Sequence, residues 1–205
     1  MKNFRRGLIL LFLLALTTCG PTGKEDAISA IPFMKEFVEQ GSQSSPESLN
    51  PTRFSPLTGP ILDRGFSSAT YWYEFNAPHS GKENKQFIVF ESLTLDRLEI
   101  YAAGNPRTQI AKLGDHFPRS LWPVGWSDFP TFPIESDRIY YIRLESTSLI
   151  KMPITIRTET NLRAFTERRV FLTAMYAGFI LMLALAAALL SWRFEISSIY
   201  STRPT

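Results

Sequence analysis

FIVFESLTLDRLEIY, residues 87–101, decides the fold class. In its first half Phe87 and Val89 fall on one side of a pleat and Ile88 and Phe90 on the other, so both sides are apolar, as a central strand covered on two faces requires. The second half, RLEIYA, alternates more plainly, with Leu98 and Ile100 placed toward a core and Arg97 and Glu99 toward water. The connecting LTLD is long enough for a hairpin or a sandwich corner, and a buried β-hairpin is the expectation.

Outward from this stretch the pattern repeats. SSATYWYEFNA (67–77) alternates Tyr71, Tyr73 and Phe75 with Trp72 and Glu74, an aromatic density that favours strand over helix. RTQIAKLG (107–114), DFPTFPI (128–134), RIYYIRLES (138–146) and MPITIRTE (152–159) follow. Six or seven short strands punctuated by Gly, Pro, Asn and Ser predict an all-β antiparallel sandwich over residues 66–160. A jelly roll is the expected topology; an immunoglobulin-like sandwich competes, because spacing alone does not fix strand order. Residues 20–65 read as lead-in and linker. A short helix starting near Pro32 is expected within AISAIPFMKEFVEQ (27–40), with Ile31, Phe33, Phe37 and Val38 laying an apolar edge on the sandwich, and GSQSSPESLNP (41–51) reads as a loop.

The two ends of the chain are apolar for different reasons. MKNFRRGLILLFLLALTTCG has the cationic start, short apolar run and small residues of a secretory signal peptide, 1–19. Leu16 to Cys19 also resembles a bacterial lipobox, which makes Cys19 a candidate lipidation site, with Thr18 standing where Gly, Ala or Ser is usual. The alternative is a signal cleaved elsewhere in which Cys19 is apolar filler. With one cysteine in the chain, no intramolecular disulfide is available. Near the other end, VFLTAMYAGFILMLALAAALLSW (170–192) is apolar without a charge and long enough to cross a bilayer, bounded by Arg168 and Arg169 before it and by Trp192 and Arg193 at its end. Export would leave residues from about 20 to 169 outside the cytoplasmic membrane and the tail, 193–205, inside.

Charge excludes one class of partner. Of 22 basic side chains, Lys2, Arg5 and Arg6 belong to the leader, and the remaining 19 equal the 19 acidic ones. The net positive charge is therefore a property of the leader, and nucleic-acid binding loses its support.

SSATYWYEF, the 87–101 stretch, GDHFPRSLWP (114–123), and IYYIRLESTS (139–148) leading to PITIRTE and an AGF-containing span resemble, in that order, the extracytoplasmic sensory domain of bacterial seven-transmembrane receptors with diverse intracellular signalling modules. The resemblance runs from about Ile28 to the span. It implies a jelly roll similar to carbohydrate-binding modules, held outside the inner membrane and coupled through helices to a cytoplasmic output. After Trp192 only RFEISSIYSTRPT follows, and a receptor truncated after its first span is the expectation.

No catalytic constellation is legible, and the chain is not expected to be an enzyme. His79 and His116 stand in no metal spacing, no GxSxG elbow or phosphate loop occurs, and no cofactor is expected. Glu91 and Asp96 flank the turn of the central stretch; they suit a glycosidase pair only as well as they suit a turn cap and a rim charge. Binding has better candidates. Trp122 and Trp126 in LWPVGWSDF offer flat apolar faces to a sugar ring, and Arg119 offers a forked donor to carboxylate or hydroxyl groups. The competing reading has both indoles plugging the open end of the sandwich. Trp72 reads as core packing, and Arg143 as a solvent-face charge or a partner of Glu91 or Glu145. Two functions follow: a sensory module for a small extracytoplasmic ligand such as a carbohydrate, or a membrane-tethered structural protein that pairs with other receptor subunits through small residues such as Ala174, Ala177 and Gly178.

Overall fold

The computed structural model describes residues 27–39, 45–80, 85–104 and 107–201; the stretch read as a signal peptide, 1–19, with Cys19 lies outside the described residues. Strands β1 (Ile28–Ser29), β2 (Met34–Glu39), β3 (Ser55–Pro56) and β4 (Leu62–Phe66) precede β5 (Thr70–Asn76), β6 (Gln86–Phe90), β7 (Arg97–Ala102) and β8 (Thr108–Leu113). Then come β9 (Thr131–Ile134), β10 (Ile139–Glu145), β11 (Leu149–Met152), β12 (Ile154–Thr158) and one long helix, α1 (Glu159–Ser201).

The strands form a four-stranded sheet, β1-β12-β6-β9, a six-stranded sheet, β3-β2-β5-β10-β7-β8, and a two-stranded ribbon, β11-β4. Every pairing is antiparallel. Taking β1, β5, β6, β7, β8, β9, β10 and β12 as strands one to eight, the sheets read 1-8-3-6 and 2-7-4-5. That interleaving is the jelly roll, and it excludes the immunoglobulin-like alternative. Ile88, Phe90, Ile154 and Ile156 of one sheet meet Tyr73, Phe75, Leu98, Ile100, Ile142 and Leu144 of the other in the main core.

Three expectations are corrected. The 87–101 stretch is no hairpin: β6 lies in the four-stranded sheet between β12 and β9, and β7 lies in the six-stranded sheet between β10 and β8. The connection is a sandwich corner, anchored by fully buried Leu95 and by Asp96, whose carboxylate accepts from Thr147 N and Oγ1, each at 2.7 Å. β7 makes its hairpin with β8 instead.

The helix expected at 27–40 is β1, a 3₁₀ turn at Ile31–Phe33 and β2. β2 pairs with β5 along its whole length, and Lys35 Nζ meets Glu74 Oε1 at 2.8 Å across that pairing. Sheet pairing overrides local helix propensity here, and it carries the sandwich back into the stretch read as lead-in. Phe37 does pack on the sandwich, whereas Val38 is exposed.

Glu99 does not face water. Leu98 and Ile100 enter the core as expected, but the outer face of the six-stranded sheet is itself covered: Leu49 and Phe54 from the preceding connection pack on Trp72, Tyr101 and Tyr141. On that covered face Glu99 Oε2 accepts from Tyr101 Oη at 2.9 Å and from Arg143 at 3.3 Å, while Arg143 also bonds Glu145. Glu91, the other partner considered for Arg143, pairs with Arg157. Trp72 is fully buried, with its Nε1 donating to Glu39 at 3.1 Å, so it packs on this second cluster and not between the sheets.

α1 starts directly at the end of β12. Glu159 N donates to Lys85 O at 3.2 Å, and Leu162 is fully buried against Phe87, Val89, Val124 and Phe129, with Phe165 alongside. These contacts cover the second face of β6, which explains why that strand is apolar on both sides. Farther on, the helix is long and apolar enough to cross a membrane, and none of its most apolar window is buried within the protein. It is therefore not a core helix; its apolar side chains require a medium other than water.

Candidate functional site

Gly114 ends β8 with φ +106°, a conformation that side chains disfavour. A Cβ there would lie 2.6 Å from Asp96 O and 2.8 Å from Leu95 O, so the chain can pass the β6–β7 corner at this distance only as glycine. Asp115 N donates to Leu95 O at 2.8 Å and His116 N to Asp96 O at 3.1 Å. The β6–β7 and β8–β9 connections are thereby laced together at one end of the sandwich. A 3₁₀ turn, Arg119–Leu121, then reverses the chain, with Trp122 N donating to Arg119 O at 3.1 Å.

Between the two connections lies a cleft of about 270 Å³. Leu93, Leu95, Phe117, Pro118 and Pro130 supply its apolar lining; Arg119, Trp122, Asp115 and Asp128 supply its polar groups. Trp122 is only 8% exposed and belongs to the main core, yet its Nε1 lies buried without a hydrogen-bond partner. A buried unpaired donor costs roughly 1–3 kcal/mol, a penalty that an acceptor on a bound molecule would remove. Arg119 lies with its guanidinium carbon 5.5 Å from the Trp122 ring and donates to Asp128 O at 3.2 Å. More than half of its side chain is exposed at the mouth, where it retains donors for a carboxylate or hydroxyl. The cleft thus combines apolar side chains with an indole and a guanidinium, the arrangement that holds and orients a small ring.

Arg119 and Trp122 therefore stand together, while Trp126 does not join them. It is 41% exposed outside the cleft, with the guanidinium of Arg163 4.8 Å from its ring. Neither carboxylate of the pair considered for glycoside chemistry is free. Glu91 Oε1 accepts from Thr155 Oγ1 at 2.7 Å and from Arg157 at 3.0 Å, and Asp96 is held by Thr147. The Thr147 amide keeps the Asp96 carboxyl below the usual aspartate range, with the nearby His116 acting in the same direction. Asp96, Asp115 and His116 bring ligand atoms within 4.8 Å of one another, and could hold a cation among the described residues, although Asp96 is already engaged. His79 pairs instead with Asp137 at 2.7 Å, which raises its pKa.

Asp115, Asp128, Leu93 and Phe117 went unread in the sequence because they belong to two connections that only the jelly-roll order brings to the same end. A second, larger hollow of about 580 Å³ lies beside the start of α1, lined by Lys85, Glu159, Arg163 and Glu167. Its Arg163 is already paired with Glu159 at 2.8 Å, and it has neither the apolar walls nor the unpaired donor of the Trp122 cleft.

A family described as 7TMR-DISM extracellular 2 matches residues 32–158, from the 3₁₀ turn before β2 to the last residue of β12. No curated protein matches the chain.

Proposed function

Because the chain belongs to the 7TMR-DISM extracellular 2 family and carries an extracellular sensory domain of a membrane receptor, we propose that this domain senses a small ring-bearing ligand such as a carbohydrate, bound in the Trp122 cleft. In this reading the sandwich stands on the periplasmic side of the inner membrane, anchored by α1. The observation that carries it is the pairing, in one cleft with apolar walls, of Trp122, whose buried Nε1 has no hydrogen-bond partner, with the half-exposed Arg119. The ligand stacks on apolar walls, gives an acceptor to Nε1 and meets Arg119 at the rim. The cleft residues supply binding and no bond-breaking chemistry.

The test is a thermal-shift screen of the full chain in detergent against monosaccharides, disaccharides and cell-wall fragments. A ligand that binds the folded state raises the melting temperature with its concentration, and Trp122→Phe, which keeps a ring but removes the donor, diminishes that rise. No shift with any compound would sink the reading. The exposed surface of α1 favours a second role. Apart from the adjoining helix backbone, nothing lies within 4 Å of a Cβ placed on Gly178, which leaves room for a neighbouring span of another receptor subunit to approach closely.

A further inference from the structure

Arg119–Pro130 has two working sides. Arg119, Trp122, Asp128 and Pro130 line the cleft, while Val124 and Phe129, between them in sequence, form the seat of Leu162 and Phe165 on α1. We propose that this segment transmits the state of the cleft to the membrane helix: an occupant bearing on Trp122 and Asp128 moves Phe129 against Phe165 and so re-aims α1. The proposal rests on the cleft being the ligand site.

Three features support a transmitted movement over an absorbed one. The middle of the segment is tied to itself, Ser127 N donating to Val124 O at 3.2 Å and Phe129 N to Ser127 Oγ at 3.3 Å, so Val124 to Phe129 shifts as a piece. Its end is held by β9, where Thr131 Oγ1 donates to Phe129 O at 2.9 Å. Its grip on the helix is made of stacked faces. The Phe129 and Phe165 centroids are 5.9 Å apart with planes 24° from parallel, Arg157 lies 3.9 Å from the Phe165 ring and Arg169 lies 4.1 Å from the Phe129 ring. Stacked and cation–π contacts tolerate sliding better than directional hydrogen bonds do, so this grip shifts without being broken. The start of α1, in contrast, is fixed by the Glu159–Lys85 backbone bond, which makes it the pivot about which a push at Leu162 to Arg169 turns the rest.

The experiment fills the cleft covalently, so that it does not depend on the natural ligand. The full chain carrying Leu93→Cys is placed in lipid nanodiscs and labelled with N-cyclohexylmaleimide. The unsubstituted chain, with Cys19 alone, and a chain carrying Phe66→Cys, a position exposed away from the cleft, are treated in parallel. Amide hydrogen exchange is read over residues 159–169. Labelling at Leu93→Cys is expected to change exchange there by about fivefold or more, the low end of coupling between two sites, while neither control responds. Adding Phe129→Leu, or Val124→Ala as a milder change, is expected to remove the response without changing the extent of labelling. Unchanged exchange in a fully labelled cleft overturns the route, and so does a response that survives both substitutions or appears with the Phe66→Cys label. Failure of the ligand reading shows separately, as the absence of any saccharide-induced thermal shift.

Discussion

Arg143 and Glu99 face each other across the β10–β7 pairing, joined at 3.3 Å with side chains only 11% and 9% exposed. A buried pair of this kind is costly to break from one side, because the survivor keeps its charge without its partner. Arg143→Leu is expected to destabilise the protein by about 3–5 kcal/mol, and the double variant Arg143→Leu, Glu99→Leu to recover most of that loss. Thermal melts of the three chains decide; a double variant no better than the single would show that packing of the Arg143 stem, and not its charge, is what counts.

The two tryptophans of LWPVGWSDF should separate cleanly. Trp122→Ala removes a core side chain and is expected to cost about 3–5 kcal/mol. Trp126→Ala deletes an exposed indole and its contact with the Arg163 guanidinium, worth about 0.5–1 kcal/mol. Equal losses in chemical denaturation would contradict the placement of both.

Gly114→Ala is expected to lower stability and distort the cleft together. The left-handed backbone alone costs on the order of 1–3 kcal/mol for an ordinary residue, and the added carbon meets main-chain oxygens that have no free end to swing away. Melting temperature and the ligand-induced shift should fall in the same variant, whereas Gly59→Ala, with its nearest neighbour at 3.9 Å, should leave the ligand-induced shift intact.

Acid should loosen the corner that Asp96 holds. Its carboxyl titrates below its ordinary value of 3.8, chiefly through the bond from the Thr147 amide. A depressed carboxylate contributes stability that is fully present above the unfolded value and lost as pH falls through the folded one. Melts at about pH 5 and about pH 2 should therefore differ more for the natural chain than for Asp96→Asn. Equal differences would remove Asp96 from the account of acid sensitivity.

Much of this was legible because it is local. The period of two in 70–76 and 97–102, and the double-sided apolarity of 87–90, are properties of short windows, and each became a strand where expected. Illegible were the features set by partners distant in sequence. Glu99 alternates like a solvent residue, and only Arg143, 44 positions away, and the cover laid by Leu49 and Phe54 make its burial possible. The 27–40 stretch is helical in propensity, yet Met34–Glu39 within it becomes strand because β5 offers an edge. Of the candidate site, Trp122 and Arg119 could be picked out by residue type; Leu93 and Asp115 could not, since their place follows from β6 and β7 lying in different sheets.

β12 passes into α1 without a linker, and α1 contains no proline. Val170, where the apolar stretch begins, stands about 16 Å along the helix from Glu159 at 1.5 Å per residue, so the sandwich is planted at a set height and heading over the lipid. Geometry then does the amplifying. A tilt of about 10° at Glu159 carries Trp192, about 50 Å along the helix, sideways by about 9 Å, so that a side-chain-sized adjustment at the sandwich becomes a displacement the opposite leaflet can register.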